Sequence, residues 1–187
     1  MNFTVIILAG GLSSRMGTDK ALVLYKGRPL IQYSVDLALF FTRDILISAN
    51  HSGLEYLGFP VVKDYFRIKA PLAGIHAGLC ESKTEWNLVL TCDMPNVTSQ
   101  LVHQMYTATG ENTRIVLPEH NGYKEPLCGF YHRDILPLIE KHIKLEKLSL
   151  LDLPKEVPHR SITPHGLTAD EMLLLFKNVN VKQDLIG

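Results

Sequence analysis

The chain has 187 residues, 46% apolar and 20% charged, which excludes a disordered chain and lets one domain bury a core without disulfide or metal staples. Lysine plus arginine equals aspartate plus glutamate, 19 of each, so no global field draws the molecule to nucleic acid or membrane, and any anion site must be a local concentration of positive charge. The three separated cysteines, Cys80, Cys92 and Cys128, with no Cys-x-x-Cys, read as small buried thiols of a reducing compartment. With no basic leader and no run near the ~18 apolar residues of a membrane span, the expected location is the cytoplasm.

The first predicted element is a strand, Phe3–Ala9, whose Val5-Ile6-Ile7-Leu8 run is of the kind covered on both faces. It leads into the segment LAGGLSSRMGTDK, Leu8 to Lys20. Helical spacing then places Leu30, Ile31, Val35, Ala38, Leu39 and Phe41 on one side of a helix. Strands are predicted at Asp44–Ser48 and Pro60–Lys63, a helix at Leu72–Cys80, and a strand at Asn87–Thr91. Thr98 reads as the N-cap of a third helix carrying Leu101, Val102, Met105 and Tyr106, and Arg114–Leu117 as a further strand. This alternation predicts a three-layer α/β fold with a mostly parallel sheet. Turn formers between Pro118 and Tyr123, with a returning strand at Glu125–Tyr131, predict a small β excursion at the edge of that sheet. Arg133–Lys144 resumes helical spacing, and Lys155–Gly166 reads as extended or loop. No repeat or linker divides the chain, so residues 1–187 read as one domain.

In open α/β sheets, ligands bind at the carboxyl ends of the strands, and the glycine-rich segment begins at one such end. Gly10 and Gly11 let a ligand approach the main chain, and exposed amides on such a turn attract anions. Arg15 offers a forked contact to phosphate and Lys20 a compact charge. The spacing is neither G-x-x-x-x-G-K-[ST] nor G-x-G-x-x-G, so taken alone it fits a solvated turn as well as a phosphate cradle. Asp93, in Cys92-Asp93-Met94-Pro95, follows another apolar strand and would face the same rim in a parallel sheet. A bare carboxylate would repel a triphosphate, whereas one that holds Mg²⁺ joins it. The alternative for Asp93 is a simple turn former.

These residues carry a resemblance. LAGGLSSRMGTDKAL resembles the signature of the nucleotidyltransferases that act on molybdopterin, the MobA-like branch of the sugar-nucleotide transferase superfamily. Gly27-Arg28-Pro29-Leu30, Val62-Lys63-Asp64, Pro71-Leu72-Ala73-Gly74-Ile75, Cys92-Asp93-Met94-Pro95, Lys124-Glu125-Pro126-Leu127-Cys128 and Phe176-Lys177-Asn178-Val179-Asn180 follow in the family's order over nearly the whole chain. The resemblance implies a Rossmann-like nucleotidyltransferase fold, GTP as donor, the molybdopterin cofactor as acceptor, Mg²⁺ as cofactor, and transfer of GMP with release of pyrophosphate. It implies that Leu8, Ala9, Gly10 and Gly11 face the nucleotide, with Ser48, Asn50, Asp64, Leu72, Ala73 and Gly74 around it. Arg15 and Lys20 would hold the triphosphate, Asp93 would bind the metal, and Glu125, Asn178 and Asn180 would lie toward the acceptor. Transient contact with cofactor-delivery proteins or molybdoenzymes is implied as well.

LAGG at Leu8–Gly11 and the PLAG segment match the guanine-using branch, since the CTP-using branch reads LAAG at the first turn. Two departures stand out: Ser48 occupies a position where the family often has Asn, with Asn50 two residues on, and Asn180-Val181-Lys182-Gln183-Asp184 replaces Asn-Thr-Pro-Glu-Asp. The rival expectations are a CTP-using transferase with a pterin or sugar-phosphate acceptor, and a nucleotide-binding regulator without turnover.

Overall fold

The computed structural model describes residues 1–10 and 19–179. The central strand β1 (Thr4–Leu8) is buried along its whole length, as its unbroken apolar run requires. A short hairpin follows, β2 (Leu24–Tyr25) and β3 (Arg28–Pro29). Its two turn residues both have positive φ, Lys26 at 49° and Gly27 at 77°, the twist a two-residue hairpin needs. Next come α1 (Leu30–Leu39), β4 (Ile45–Ser48), β5 (Val61–Val62) and α2 (Pro71–Glu81). β6 (Trp86–Thr91) leads to α3 (Ser99–Thr107), where Thr98 Oγ1 accepts the Leu101 amide as the expected N-cap.

The region after α3 holds the main difference from expectation. β7 (Ile115–His120) turns at Asn121-Gly122, again with two positive φ values, into β8 (Tyr123–Lys124), which among the described residues pairs only with β7. β9 (Gly129–His132) then inserts between β6 and β7, antiparallel to both, so the excursion returns into the interior of the sheet and not to its edge. Gly129 permits this. A Cβ there would stand 2.5 Å from Leu117 Cδ2 and 2.9 Å from the Val116 carbonyl, so only a bare backbone lies this close to β7. After α4 (Leu136–Lys144) the segment expected to be extended or loop forms β10 (His159–Ile162), parallel to β7, and the described chain ends after α5 (Ala169–Leu175).

The sheet order is β10-β7-β9-β6-β1-β4-β5, with β1 parallel to β4 and β6, and β4 parallel to β5. Alternation along β1 builds the two cores. Val5 and Ile7 pack with Ile31, Val35, Leu101 and Met105 of α1 and α3, while Ile6 and Leu8 pack with Leu72, Ile75, Leu79 and Ile139 of α2 and α4. The result is the expected three-layer α/β arrangement. α2 sits so close that a Cβ on Gly78 would stand 2.5 Å from Ile6 Cγ2, and one on Gly74 would stand 2.6 Å from Ser48 Oγ. The glycine of the PLAG segment is therefore a packing requirement. Among the described residues no helix is long and apolar enough to cross a membrane.

Candidate active site

Because β1, β4, β5 and β6 run parallel, their carboxyl ends share one rim, and each delivers polar groups to it. β1 ends at Leu8–Gly10, β4 leads to Asn50 and His51, β5 leads to Asp64, and β6 leads to Asp93. The Ala9 amide donates to the Ser48 carbonyl at 2.9 Å and the Cys92 amide to the Leu8 carbonyl at 3.3 Å, which carries the sheet ladder one residue into the rim.

At the rim, Lys20 Nζ donates to Asp93 Oδ2 at 2.7 Å, joining residues far apart in sequence, and Thr91 Oγ1 donates to Asp93 Oδ1 at 2.8 Å. The two charged side chains are 21% and 20% exposed, so the pair is partly desolvated yet open to a ligand. Lys20 lies in a 3₁₀ turn, Lys20–Leu22, capped by Asp19 Oδ1, which accepts the Ala21 amide at 3.0 Å. The C-terminal segment closes onto the same place: the Val179 amide donates to the Asp93 carbonyl at 2.9 Å, and Val179 is buried with Val23 and Leu30. That leaves Asn178 exposed in the chain beside Asp93.

Asn50 and Asp64 form a reciprocal pair. Asn50 Nδ2 donates to Asp64 Oδ2 at 2.6 Å, and the Asp64 amide donates to Asn50 Oδ1 at 2.9 Å. Asp64 Oδ1 has no hydrogen-bond partner among the described residues. Ser48 is 3% exposed and faces the Gly74 position beneath α2. Leu72 and Ala73 are fully buried, so any role of theirs toward a ligand falls to their main chain, in the uncapped first turn of α2. Glu125 Oε1 lies 2.9 Å from His120 Nε2, and the His120 ring stacks on Phe176 with centroids 4.6 Å apart. Glu125 is thus tied, through His120 and Phe176, to the segment that reaches Asp93. Gly11, Arg15 and Asn180 lie outside the described residues.

Burial, then the Asp93 carboxylate, push the Cys92 thiol up to about 12, and burial does the same for Cys128, so both stay neutral and neither serves as a nucleophile. Cys80 is only partly buried, unlike the expectation for it. Among the described residues no three His, Cys, Asp or Glu side chains gather to hold a metal by themselves. A cavity of about 500 Å³ bordered by Thr4, Arg43, Asp44, Pro60 and Lys83 lies at the amino ends of β1, β4 and β5, away from Asp93. Its charged side chains are all exposed. Two residues at the rim carried no sequence signal, His51 and Thr91. His120 had none either, since its relation to Glu125 and Phe176 depends on the β7–β8 turn.

The family model for the MobA-like NTP transferase domain matches residues 5–156. The chain belongs to this family. A molybdenum cofactor guanylyltransferase from Vibrio vulnificus is 32% identical over 183 residues, covering 96% of this chain and 91% of the relative. Another, from Vibrio atlanticus, is 37% identical over 154 residues, covering 81% and 79%. The solved molybdopterin-guanine dinucleotide biosynthesis protein A from Archaeoglobus fulgidus superposes with a TM-score of 0.80 at 24% identity, covering 98% of this chain and 95% of its own. A 2-C-methyl-D-erythritol 4-phosphate cytidylyltransferase from Thermus thermophilus superposes with a TM-score of 0.68 at 13% identity. Proteins named for different bases thus share the fold, and the fold by itself does not choose the base.

Proposed function

We propose that the chain, as one nucleotidyltransferase domain in the cytoplasm, transfers GMP from GTP to the terminal phosphate of the molybdopterin cofactor and releases pyrophosphate. The observation that carries this reading is the Lys20–Asp93 pair at the shared strand rim, a cation and a carboxylate side by side and only partly desolvated. The relatives named as molybdenum cofactor guanylyltransferases support the donor and acceptor. Asp64 supports guanine on chemical grounds. Its second oxygen, without a partner among the described residues, is an acceptor; guanine presents adjacent N–H donors on its pairing edge, and cytosine presents a single amino group there beside two acceptors.

The residues fit Mg²⁺. That ion is held by one or two carboxylates and completed by substrate phosphates and water, and Asp93 offers a partly exposed carboxylate at the rim. When bound, the ion supplies neutralising charge to the phosphates. The acceptor phosphate is already an anion at neutral pH and needs no strong base, so the task is to bring two anions together. Asp93 would hold the ion, Lys20 would turn its charge to the triphosphate, and Arg15 would add a second cation. An oxygen of the acceptor forms a bond to the α-phosphorus as the α–β bridging bond breaks, and pyrophosphate leaves with the electron pair beside Lys20. The first-turn amides of α2 and the main chain at Leu8–Gly10 orient the nucleotide, and Asn178 and Glu125 face the acceptor.

Incubating the purified protein with Mg²⁺, purified molybdenum cofactor and each of the four nucleoside triphosphates tests the reading. Pyrophosphate from GTP alone is expected. Release from CTP instead would replace the base assignment, and tight GTP binding without release would favour a regulator.

A further inference from the structure

His51 follows Asn50 past the end of β4, and no motif in the sequence singles it out. Its Nε2 lies 3.4 Å from the Ala9 carbonyl, and its Nδ1 lies 3.2 Å from the Ser52 carbonyl and 3.4 Å from Asp19 Oδ2. Carbonyl and carboxylate oxygens only accept, so the ring can only donate on both sides. A singly protonated ring satisfies one side and a doubly protonated ring satisfies both. Asp19 Oδ2 is buried and has no hydrogen bond among the described residues, and His51 Nδ1 is the ring nitrogen that faces it, while Asp19 Oδ1 caps the turn that carries Lys20. Backbone amides hold the nearby Glu55 carboxyl below its usual range.

We infer that His51 is a positioning residue that clasps the end of β1 to the Lys20 turn and so holds Lys20 at Asp93 before nucleotide binds. The chain of contacts is continuous. The ring bridges Ala9 and Asp19, Asp19 caps Lys20–Leu22, and Lys20 reaches Asp93. Ala9 and Asp19 flank the glycine-rich segment, so one side chain ties both of its described ends. Removing the ring leaves a buried carboxylate oxygen without its neighbour and frees Asp19 to leave the cap, so the cost of ordering the turn falls on nucleotide binding.

The kinetic part of the test rests on the proposed GTP reaction, and the exchange part does not. In the nucleotide-free full chain, His51→Ala should speed hydrogen exchange at the Ala21, Leu22 and Val23 amides by about tenfold, and His51→Gln, which keeps a donor, should restore most of the protection. With GTP, His51→Ala should raise KM by about tenfold while kcat stays within about twofold, and His51→Gln should recover most of that loss. Unchanged exchange at those amides in His51→Ala overturns the clasp. So does a matched fall in kcat and in melting temperature with KM unmoved, which would mark a merely structural residue. If the wild-type chain neither binds nor turns over GTP, the proposed function fails, and the exchange result alone decides the clasp.

Discussion

Lys20→Ala separates catalysis from stability. Lys20 Nζ and Asp93 Oδ2 stand 2.7 Å apart with about a fifth of each side chain exposed. A pair that open to solvent contributes at most about 1 kcal/mol to folding, since water and salt screen it. For a chain of this length that lowers the melting temperature by only about 2–4 °C. The catalytic consequence is larger, because the same ammonium is to meet negative charge that grows on the departing pyrophosphate. Loss of one such contact costs about 3 kcal/mol, or about a hundredfold in turnover. The assay is pyrophosphate release from GTP at saturating acceptor, alongside a thermal melt of the same preparation. Activity down at least about tenfold with the melt within a few degrees is expected. Activity within twofold of wild type would remove Lys20 from the reaction, and a collapsed melt would show the pair to be mainly structural.

Asp93→Ala should abolish Mg²⁺-dependent pyrophosphate release while circular dichroism and gel filtration remain those of the folded chain. Gly78→Ala should cost about 1–3 kcal/mol, because the new Cβ meets Ile6 at 2.5 Å across the α2–β1 contact, and a urea midpoint measures the loss. In the native protein at pH 8 a thiol reagent should label Cys80 alone on the early time scale, because Cys92 and Cys128 are buried thiols pushed up to about 12; mass spectrometry reads the sites. Hydrogen bonds from Lys141 and then His142 hold the Glu156 carboxyl down at about 2. A folded-state value below the unfolded one adds stability that is present above about 4.5 and lost as pH falls toward 2, so Glu156→Gln should flatten acid unfolding across that window.

What could be read from the sequence was mostly what depends on local pattern. The Val5–Leu8 run, the Thr98 cap and the turn formers between Pro118 and Tyr123 each act within a few residues, and they appear in the structure as a strand, a helix start and a hairpin. The insertion of β9 between β6 and β7 was not legible, because strand pairing is a long-range choice. A clue was present: Phe130 and Tyr131 are consecutive and large, and they are buried in opposite cores, as only an interior strand allows. β10 read only as extended or loop, because His159–Ile162 is a mostly exposed edge strand with a single apolar residue. α5 carried a readable start, Thr168 with Glu171 three residues on, and the structure shows that capping box complete.

At the site, the meeting of Lys20 with Asp93 followed from parallel strands ending on one rim, which is topology inferred from alternation. The Asn50–Asp64 pair followed only in part, since the resemblance named both residues but not their mutual hydrogen bonds. His51 was invisible because its role depends on two backbone carbonyls and a cap, none of which has a sequence signature.

In the proposed reaction the rim gathers GTP and a phosphorylated pterin for direct transfer. Following ³²P from GTP labelled at the α-phosphate, with purified molybdenum cofactor, Mg²⁺ and the wild-type chain, tests it most directly. The label should move to the cofactor in step with unlabelled pyrophosphate, and neither event should occur with Asp93→Ala. Label that stays on GTP, or leaves as free GMP whether or not cofactor is present, would contradict it.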